Sequence, residues 1–541
     1  MGIDPRTPVV VGAGLVVCRP EPGDQDATSL VARPDPVDLL GRAVLSAAAD
    51  SSGTTSEERE SAGRGVLEGA PSLRVISPSS WTYENPGAVI ADRLGIVPSE
   101  TTVTAIGGHG PLFLLHRTAL DIGRGTIDVA VLVGGESAYT RMAARHHPDR
   151  PTLRWAQAGP GPPPVVVGSA RRFTTEAEKA CGLGAAVPAL ALFENAVRAA
   201  AHRSLFDHRG EITALWSKLT EVASRQPTAW HRTPSTAEEL AAVGEGNPWV
   251  SYPYSGLLTP EVAVDQAAAV IVCSVERATQ LGLPSDQWVF PLAGVDAADH
   301  WFLSHRADFS SSPATEIGAA AATALAGTGP DDLDLLDLDA SLPATFQIAA
   351  GAIGADTADR SRCLSVTGCQ SAAGSPGDAA ALRGLASMVG ALRERPGSLG
   401  MVTAIGGYLT AHAFCVLGTA PPGDAGNGNG GAPSATGDPA LPDGTVTEVA
   451  AGFRWADPRQ AIAARPQRAS DAEADGEITV ETYTVTYDDV GAPERAVVAC
   501  QTPVGHRTWG NVTDPDQLAL LVTEEGCGRL GRLRHGLVDL G

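Results

Sequence analysis

TAIGGHGPLFLLHRTALDIGRGTIDVAVLVGGES, residues 104–137, decides how the rest of the chain is read. It runs as the end of a strand, a glycine turn, a helix over 111–124 and a second strand ending in Gly-Gly. A turn of this kind presents a reactive side chain at the mouth of a helix, where the positive end of the helix dipole favours a thiolate or an anion. Here the turn offers only Gly107, Gly108, His109 and Gly110, and no nucleophile.

The same rhythm continues on both sides. PVVVGAGLVV (8–17) reads as a buried strand, PVDLLGRAVLSAAAD (36–50) as a helix and SLRVIS (72–77) as a strand. Strands alternating with helices predict a parallel or mixed sheet covered on both faces. The pattern loosens from 138 to about 260, where an Arg/His/Pro-rich stretch, two helical runs and the aromatic NPWVSYPYSGLLTP read as an insertion of the kind that covers a ligand. It returns at VDQAAAVIVCSVERATQLG (264–282) and runs to GMVTAIGGYLT and AFCVLGT. DVAVLVGGES and GMVTAIGGYLT are the matching pair of a duplicated unit, whereas the repeat VTAIGG at 103–108 and 402–407 is out of that register and reads as chance. Residues 420–445 are low-complexity and read as a flexible linker. Beyond them, period-two alternation with turns at DDVGAP and PVGHR predicts a small antiparallel barrel-like domain, with an OB-type fold as one form of it.

The chain has 541 residues and a formal net charge of −23, which argues against a nucleic-acid partner and requires a local basic patch for any anionic ligand. Trp509 and Tyr483 would make a nucleic-acid stacking surface only in basic surroundings, which the sequence lacks. The eight cysteines form no CxxC and lie mostly in apolar runs, the usage of buried reduced thiols. No apolar run reaches 18 residues and no secretory leader pattern opens the chain, so the expectation is a cytoplasmic protein without a membrane span. His146 and His147 lack further ligands at metal spacing, VGAG (11–14) lacks the third glycine and the helix of a dinucleotide loop, and neither G-x-S-x-G nor a P-loop occurs.

Taken together, residues 5–418 resemble the thiolase superfamily in its sterol-carrier-protein-type branch. IGRGTIDVAVLVGGES resembles the block after the nucleophile helix, VDQAAAVIVCSVERA the branch's S-D-G-A-A-A-x-x-L block, and LALFENAVRAAAHR the helix that opens the loop domain. The DPRTPVVVGAG opening, the QWVFPLAG segment and the C-terminal β domain are similar to actinobacterial thiolase-like proteins of type one. The resemblance implies an α/β fold of duplicated αβαβα layers. Residues 1–137 and 263–419 would be the two halves, 138–262 the loop domain, 420–447 the linker and 448–541 the added domain. It also implies a place in acyl-CoA metabolism, an acyl-CoA thioester as ligand, no permanently bound cofactor, and a homodimer by default with a monomer as the alternative.

In such enzymes a cysteine at the helix mouth is acylated, a histidine activates it, an Asn or His positions a water, and a second cysteine moves the α-proton. Carried onto this sequence, those positions are Gly108, Ser375, Asp339 and Ala404. None supplies the chemistry, so ordinary thiolase catalysis is expected to be absent, and whether the chain is an enzyme stays open. The backbone N–H groups of Gly108 and Gly406 remain as an expected thioester cradle. Two readings stay open at His109, an acid/base or a solvent-near turn residue, and at Tyr408, the acid/base of a retro-aldol lyase or packing between the halves. Asp339 either orients a water or caps a strand end, and Ser375 reads as a small turn residue. Arg141, Arg145, Arg150, Arg154, Arg171 and Arg172 would hold the CoA phosphates or form a solvated face. A third possibility is a non-catalytic scaffold whose C-terminal domain docks a protein partner.

Overall fold

The architecture comes from a computed structural model, which describes residues 3–21, 23, 26–52, 65–69, 71–155, 164–359, 361–423, 441–488 and 490–541. Most of the expected linker, residues 424–440, lies outside the described residues.

Two mixed sheets carry the duplicated unit. In the first, Pro8–Val17 pairs antiparallel with Asp265–Ser274, which pairs antiparallel with Val129–Ser137. Ser72–Val75, Glu100–Thr104 and Val165–Val167 follow in parallel. The second repeats the plan: Phe290–Ala298 and Leu399–Gly406 flank Ala411–Gly418 antiparallel, and Leu335–Asp337 follows in parallel. Val129–Ser137 and Leu399–Gly406 therefore hold equivalent places, as the paired Gly-Gly strands predict.

Helices Gly110–Gly123 and Ala380–Arg393 lie between the sheets and touch strands of both. Helix Pro36–Asp50 covers the outside of the first sheet and Pro313–Ala326 the outside of the second. This gives five layers, α-β-α-β-α. All ten residues of Asp265–Ser274 are buried, because a strand covered on both faces has no solvent side. Its side chains divide by parity: Ala267, Ala269, Ile271 and Cys273 pack outward under Pro36–Asp50, and Ala268, Val270 and Val272 pack inward on the central helices. The glycines of VGAG serve the same packing. A Cβ on Gly12 or Gly14 would collide with the backbone of Pro36–Asp50 at Ala47 or Ala43.

Two additions modify this plan. Val446–Ala450 and Phe453–Asp457 form a hairpin that joins the second sheet beside Phe290–Ala298. Asp296 there accepts from Trp455 Nε1 at 2.7 Å and bonds His116 Nδ1 at 3.0 Å, tying the hairpin to the central helix Gly110–Gly123. Strands Gly476–Tyr487, Pro493–Gln501, Arg507–Val512, Leu530–Arg534 and Leu537–Asp539 close into a five-stranded barrel. The barrel is docked on the loop region and on the second half. Thr482 Oγ1 donates to Leu192 O at 2.6 Å, Asn195 Nδ2 donates to Tyr483 O at 2.8 Å, and Trp509 Nε1 donates to Ser304 Oγ at 2.9 Å. The aromatic stretch 249–255 adds two short strands to its edge. Tyr483 and Trp509 are buried, which removes the stacking surface they would otherwise make. Among the described residues no helix is long and apolar enough to cross a membrane.

Candidate functional site

The turn that opens helix Gly110–Gly123 is the position the sequence reading singled out as the pedestal of a nucleophile. His109 is the residue before the first helical turn, and its side chain makes no capping hydrogen bond. Gly107 has φ 149°, a left-handed conformation that suits glycine. Its N–H donates to Asp378 Oδ2 at 2.8 Å. The donor just ahead of the helix's positive end is thus already satisfied by a carboxylate of the chain itself. Burial raises the Asp378 pKa, with the charge of Glu136 adding to the shift. Glu136 accepts from Ser79 N, Ser79 Oγ and Ser80 N at 2.7–2.8 Å.

Gly108 faces the second half. A Cβ there would sit 2.5 Å from Ile405 O, closer than carbon and oxygen approach without a bond, so the backbone leaves no room for a side chain. The two VTAIGG segments therefore abut at this point, although they are not equivalent in the duplication. A Cβ on Gly406 would collide with His109 Nδ1, and one on Gly407 with the ring of Phe173. Phe173 arrives from the loop region and stacks on Trp301 at 5.3 Å and 12°. Arg171 lies over Trp301 at 4.8 Å and over Phe302 at 5.0 Å, and Trp301 Nε1 donates to Arg172 O at 2.7 Å. This aromatic strap and His109 lie against the backbone of Gly407 and Gly406. A cavity nearby, lined by Asp339, Thr403, Ala404, Ile405 and His412 among others, has a volume of about 10 Å3, room for at most one water.

The structure places the residues carried over from the sequence as follows. His109 is half-buried: its Nδ1 is enclosed with no hydrogen-bond partner among the described residues, and burial lowers its pKa, so the ring is neutral at pH 7. Asp339 accepts from Ser341 N, Ser341 Oγ and Thr345 Oγ1, the bonding of a turn and helix-start cap, and burial raises its pKa. Ser375 Oγ donates to Gln370 Oε1 at 2.7 Å inside its own turn. Ala404 lines the small cavity. Tyr408 is buried in the core that joins the loop region to the second half, and burial raises its pKa. The six arginines separate. Arg141, Arg145 and Arg150 share an open groove with Trp81, Arg171 and Arg172 belong to the strap, and Arg154 is exposed.

Sequence reasoning missed His412, Phe173, Trp301 and Asp378. His412 lies under the pedestal in Ala411–Gly418. Its Nε2 donates to Leu409 O at 2.9 Å, and its pKa falls to about 4, chiefly through burial, with Arg306 and His109 nearby against protonation and Asp299 opposing them. A histidine in the apolar run TAHAFCVLG was its only signal. Asp378 was visible only as the first acid after the SPG turn.

The comparisons bear on the fold and on the C-terminal domain. Residues 457–536 match the family model described as the thiolase-like protein type 1 additional C-terminal domain. The whole chain is similar to the crystal structure of a monomeric SCP2-thiolase-like protein type 1 from Mycobacterium smegmatis, with 24% identity, 100% of each chain covered and a TM-score of 0.77. An Ltp2–ChsH2(DUF35) aldolase is similar over 76% of this chain and 98% of its own, with 17% identity and a TM-score of 0.54. The dimeric peroxisomal thiolase of Saccharomyces cerevisiae is similar over 76% and 98%, with 16% identity and a TM-score of 0.51. Among curated proteins the sequence finds no match. The chain has the fold of the thiolases, and its residues 457–536 belong to the additional C-terminal domain family of thiolase-like proteins type 1.

Proposed function

We propose that this chain is a thiolase-fold protein without thiolase chemistry, acting in acyl-CoA metabolism by binding rather than by turnover. One observation carries the reading: the pedestal is filled by the chain's own atoms, with Ile405 O against Gly108, His109 over Gly406 and Phe173 over Gly407. Without a nucleophile and its base the covalent route is absent, and without space an oxyanion has nowhere to form between Gly108 and Gly406. The retro-aldol alternative through Tyr408 or His109 is disfavoured. Tyr408 is packed in a core, and His109 points its enclosed nitrogen at Gly406 rather than at a cavity large enough for substrate. The acyl-CoA expected from the sequence would then be held by its nucleotide end, with its thioester outside the pedestal.

A monomer is the favoured state. Val165–Val167 from the loop region covers the edge of Glu100–Thr104 that would otherwise be free to pair with another copy.

The test is conversion of acetoacetyl-CoA plus CoA to acetyl-CoA, which consumes the free thiol, and cleavage of a β-hydroxyacyl-CoA to an aldehyde or ketone plus a shorter acyl-CoA, which leaves the thioester intact. Neither conversion is expected above the buffer rate. Carbonyl product from the β-hydroxyacyl-CoA that is lost in Tyr408→Phe or His109→Gln would replace this reading with the lyase.

A further inference from the structure

We propose that the groove between helix Ala138–His146 and residues 151–155 docks an extended acidic segment of another protein, laid as an added strand along 151–155 with alternate carboxylates on Arg141 and Arg145. The groove has a volume of about 610 Å3. Arg141, Ala144 and Arg145 line it from the helix, and Pro151, Thr152 and Leu153 line it from the segment that follows. Trp81 completes it. Trp81 follows Ser72–Val75 and the helix follows Val129–Ser137, which are parallel neighbours, so the groove opens at the carboxyl ends of these strands.

The backbone of the second wall is unpaired. Among the described residues no hydrogen bond engages the main-chain N–H or C=O of Thr152, Leu153 or Arg154. The side chains there alternate: Pro151, Leu153 and Trp155 are half-buried, and Thr152 and Arg154 are exposed. That is the period of an extended strand with one face on the protein. Trp155 anchors this face, edge-to-face with Trp81 at 5.0 Å and 71°. An unpaired edge of this kind takes a further strand, whose main-chain groups satisfy it whatever the partner's side chains. Five residues at about 3.3 Å each give an edge of roughly 16 Å.

Side-chain selection comes from the helix wall. No carboxylate lines the groove, although the chain has 62 acidic residues against 39 lysines and arginines. None of Arg141, Arg145 and Arg150 forms an ion pair among the described residues; the neighbouring pair, His147 with Asp149 at 3.9 Å, leaves them out. Arg141 and Arg145 stand four residues apart on one helix face, about 6 Å along its axis, where like charges repel each other. Alternate residues of a strand share a face at a spacing of about 6.6 Å. An acid at every second position therefore meets both guanidiniums in register, while the residues between them turn to the other face. Arg150, placed by a turn in which its N–H donates to His147 O at 3.0 Å, adds a third fork. A small anion would neutralise the arginines and leave the strand edge unpaired, whereas an acidic strand satisfies both walls. The proposal is independent of the pedestal and of any acyl group.

The test is calorimetry on the full chain at about 50 mM salt with short capped peptides. One alternates glutamate and valine, one carries the same residues in two blocks, and two are alternating peptides N-methylated at one or the other set of alternate residues. Saturable binding of the alternating peptide is expected, weakening as salt rises to about 200 mM. The blocked peptide and one of the two N-methylated forms are expected to bind about tenfold more weakly, the first for loss of register and the second for loss of main-chain donors. Arg141→Ala and Arg145→Ala are each expected to weaken the alternating peptide about fivefold. These side chains are exposed, and an unchanged melting temperature shows that the variants fold. No saturable binding up to about 5 mM, or equal binding by the Arg141→Ala/Arg145→Ala variant, overturns the site. Equal binding of both N-methylated forms overturns the added strand, and equal binding of the blocked peptide overturns the paired register. Coenzyme A binding saturably where no peptide binds makes the groove a phosphate site and overturns the docking.

Discussion

The pedestal and the arginine groove lie at the same end of the first sheet and have opposite characters. At the pedestal a glycine turn, a helix mouth and an abutting strand of the second half meet. The turn carries no cysteine, serine or threonine, and His109 and Phe173 lie against Gly406 and Gly407. At the groove Arg141, Arg145 and Arg150 converge beside Trp81, and none of the three arginines forms an ion pair among the described residues. The five-layer packing depends on the backbone shape of the pedestal and not on any reactive side chain in its turn. Unpaired charge has no such support from packing and points to a ligand.

Gly108→Cys attacks the contrast most severely. Its Cβ would lie 2.5 Å from Ile405 O, so the strand of the second half must move. A loss of about 2–4 kcal/mol is expected in urea unfolding, with no gain of thiolysis. Wild-type stability together with acylation of the new cysteine would mean that the pedestal is open.

A second effect is pH dependence beneath the pedestal. His412 titrates near 4 in the folded chain against about 6.5 when unfolded, so between those values the unfolded chain binds the extra proton. The neutral ring contributes stability that is fully present above pH 6.5 and is lost as pH falls towards 4, up to about 3 kcal/mol. Unfolding midpoints at pH 7 and pH 5 are expected to differ less in His412→Gln than in the wild type.

Opening the strap is milder. Phe173 is half-buried, so Phe173→Ala is expected to cost about 1–2 kcal/mol in the same unfolding assay and to enlarge the space over Gly407, still without thiolysis of acetoacetyl-CoA. Tyr408→Phe is the smallest change, under about 1 kcal/mol with no change in carbonyl product from a β-hydroxyacyl-CoA, since it removes a hydroxyl from a packing position.

The fold was legible wherever burial on two faces leaves a continuous apolar strand, as in Val129–Ser137 and Asp265–Ser274, and where glycines mark the turns between strand and helix. That the turn before helix Gly110–Gly123 holds only glycines and His109 was legible directly in the sequence. The closing of the pedestal was not. His109 reads as a turn residue until Gly406 is placed against it, and Phe173 and Trp301, 128 positions apart, stack only once the loop region is folded over the second half. The hairpin Val446–Asp457 reads as the start of a separate domain, but its hydrogen bonds place it in the second sheet. Three of the six arginines share one groove because a helix and the turn after it set their spacing, while Trp81 lies far from them in sequence.

The most direct measurement is a crystal structure after soaking in acetoacetyl-CoA at millimolar concentration. The account expects His109 and Phe173 in place, Gly107 N–H still on Asp378, and no acyl density between Gly108 and Gly406. Acyl density in that space, with the Phe173 ring displaced from Trp301, would contradict it.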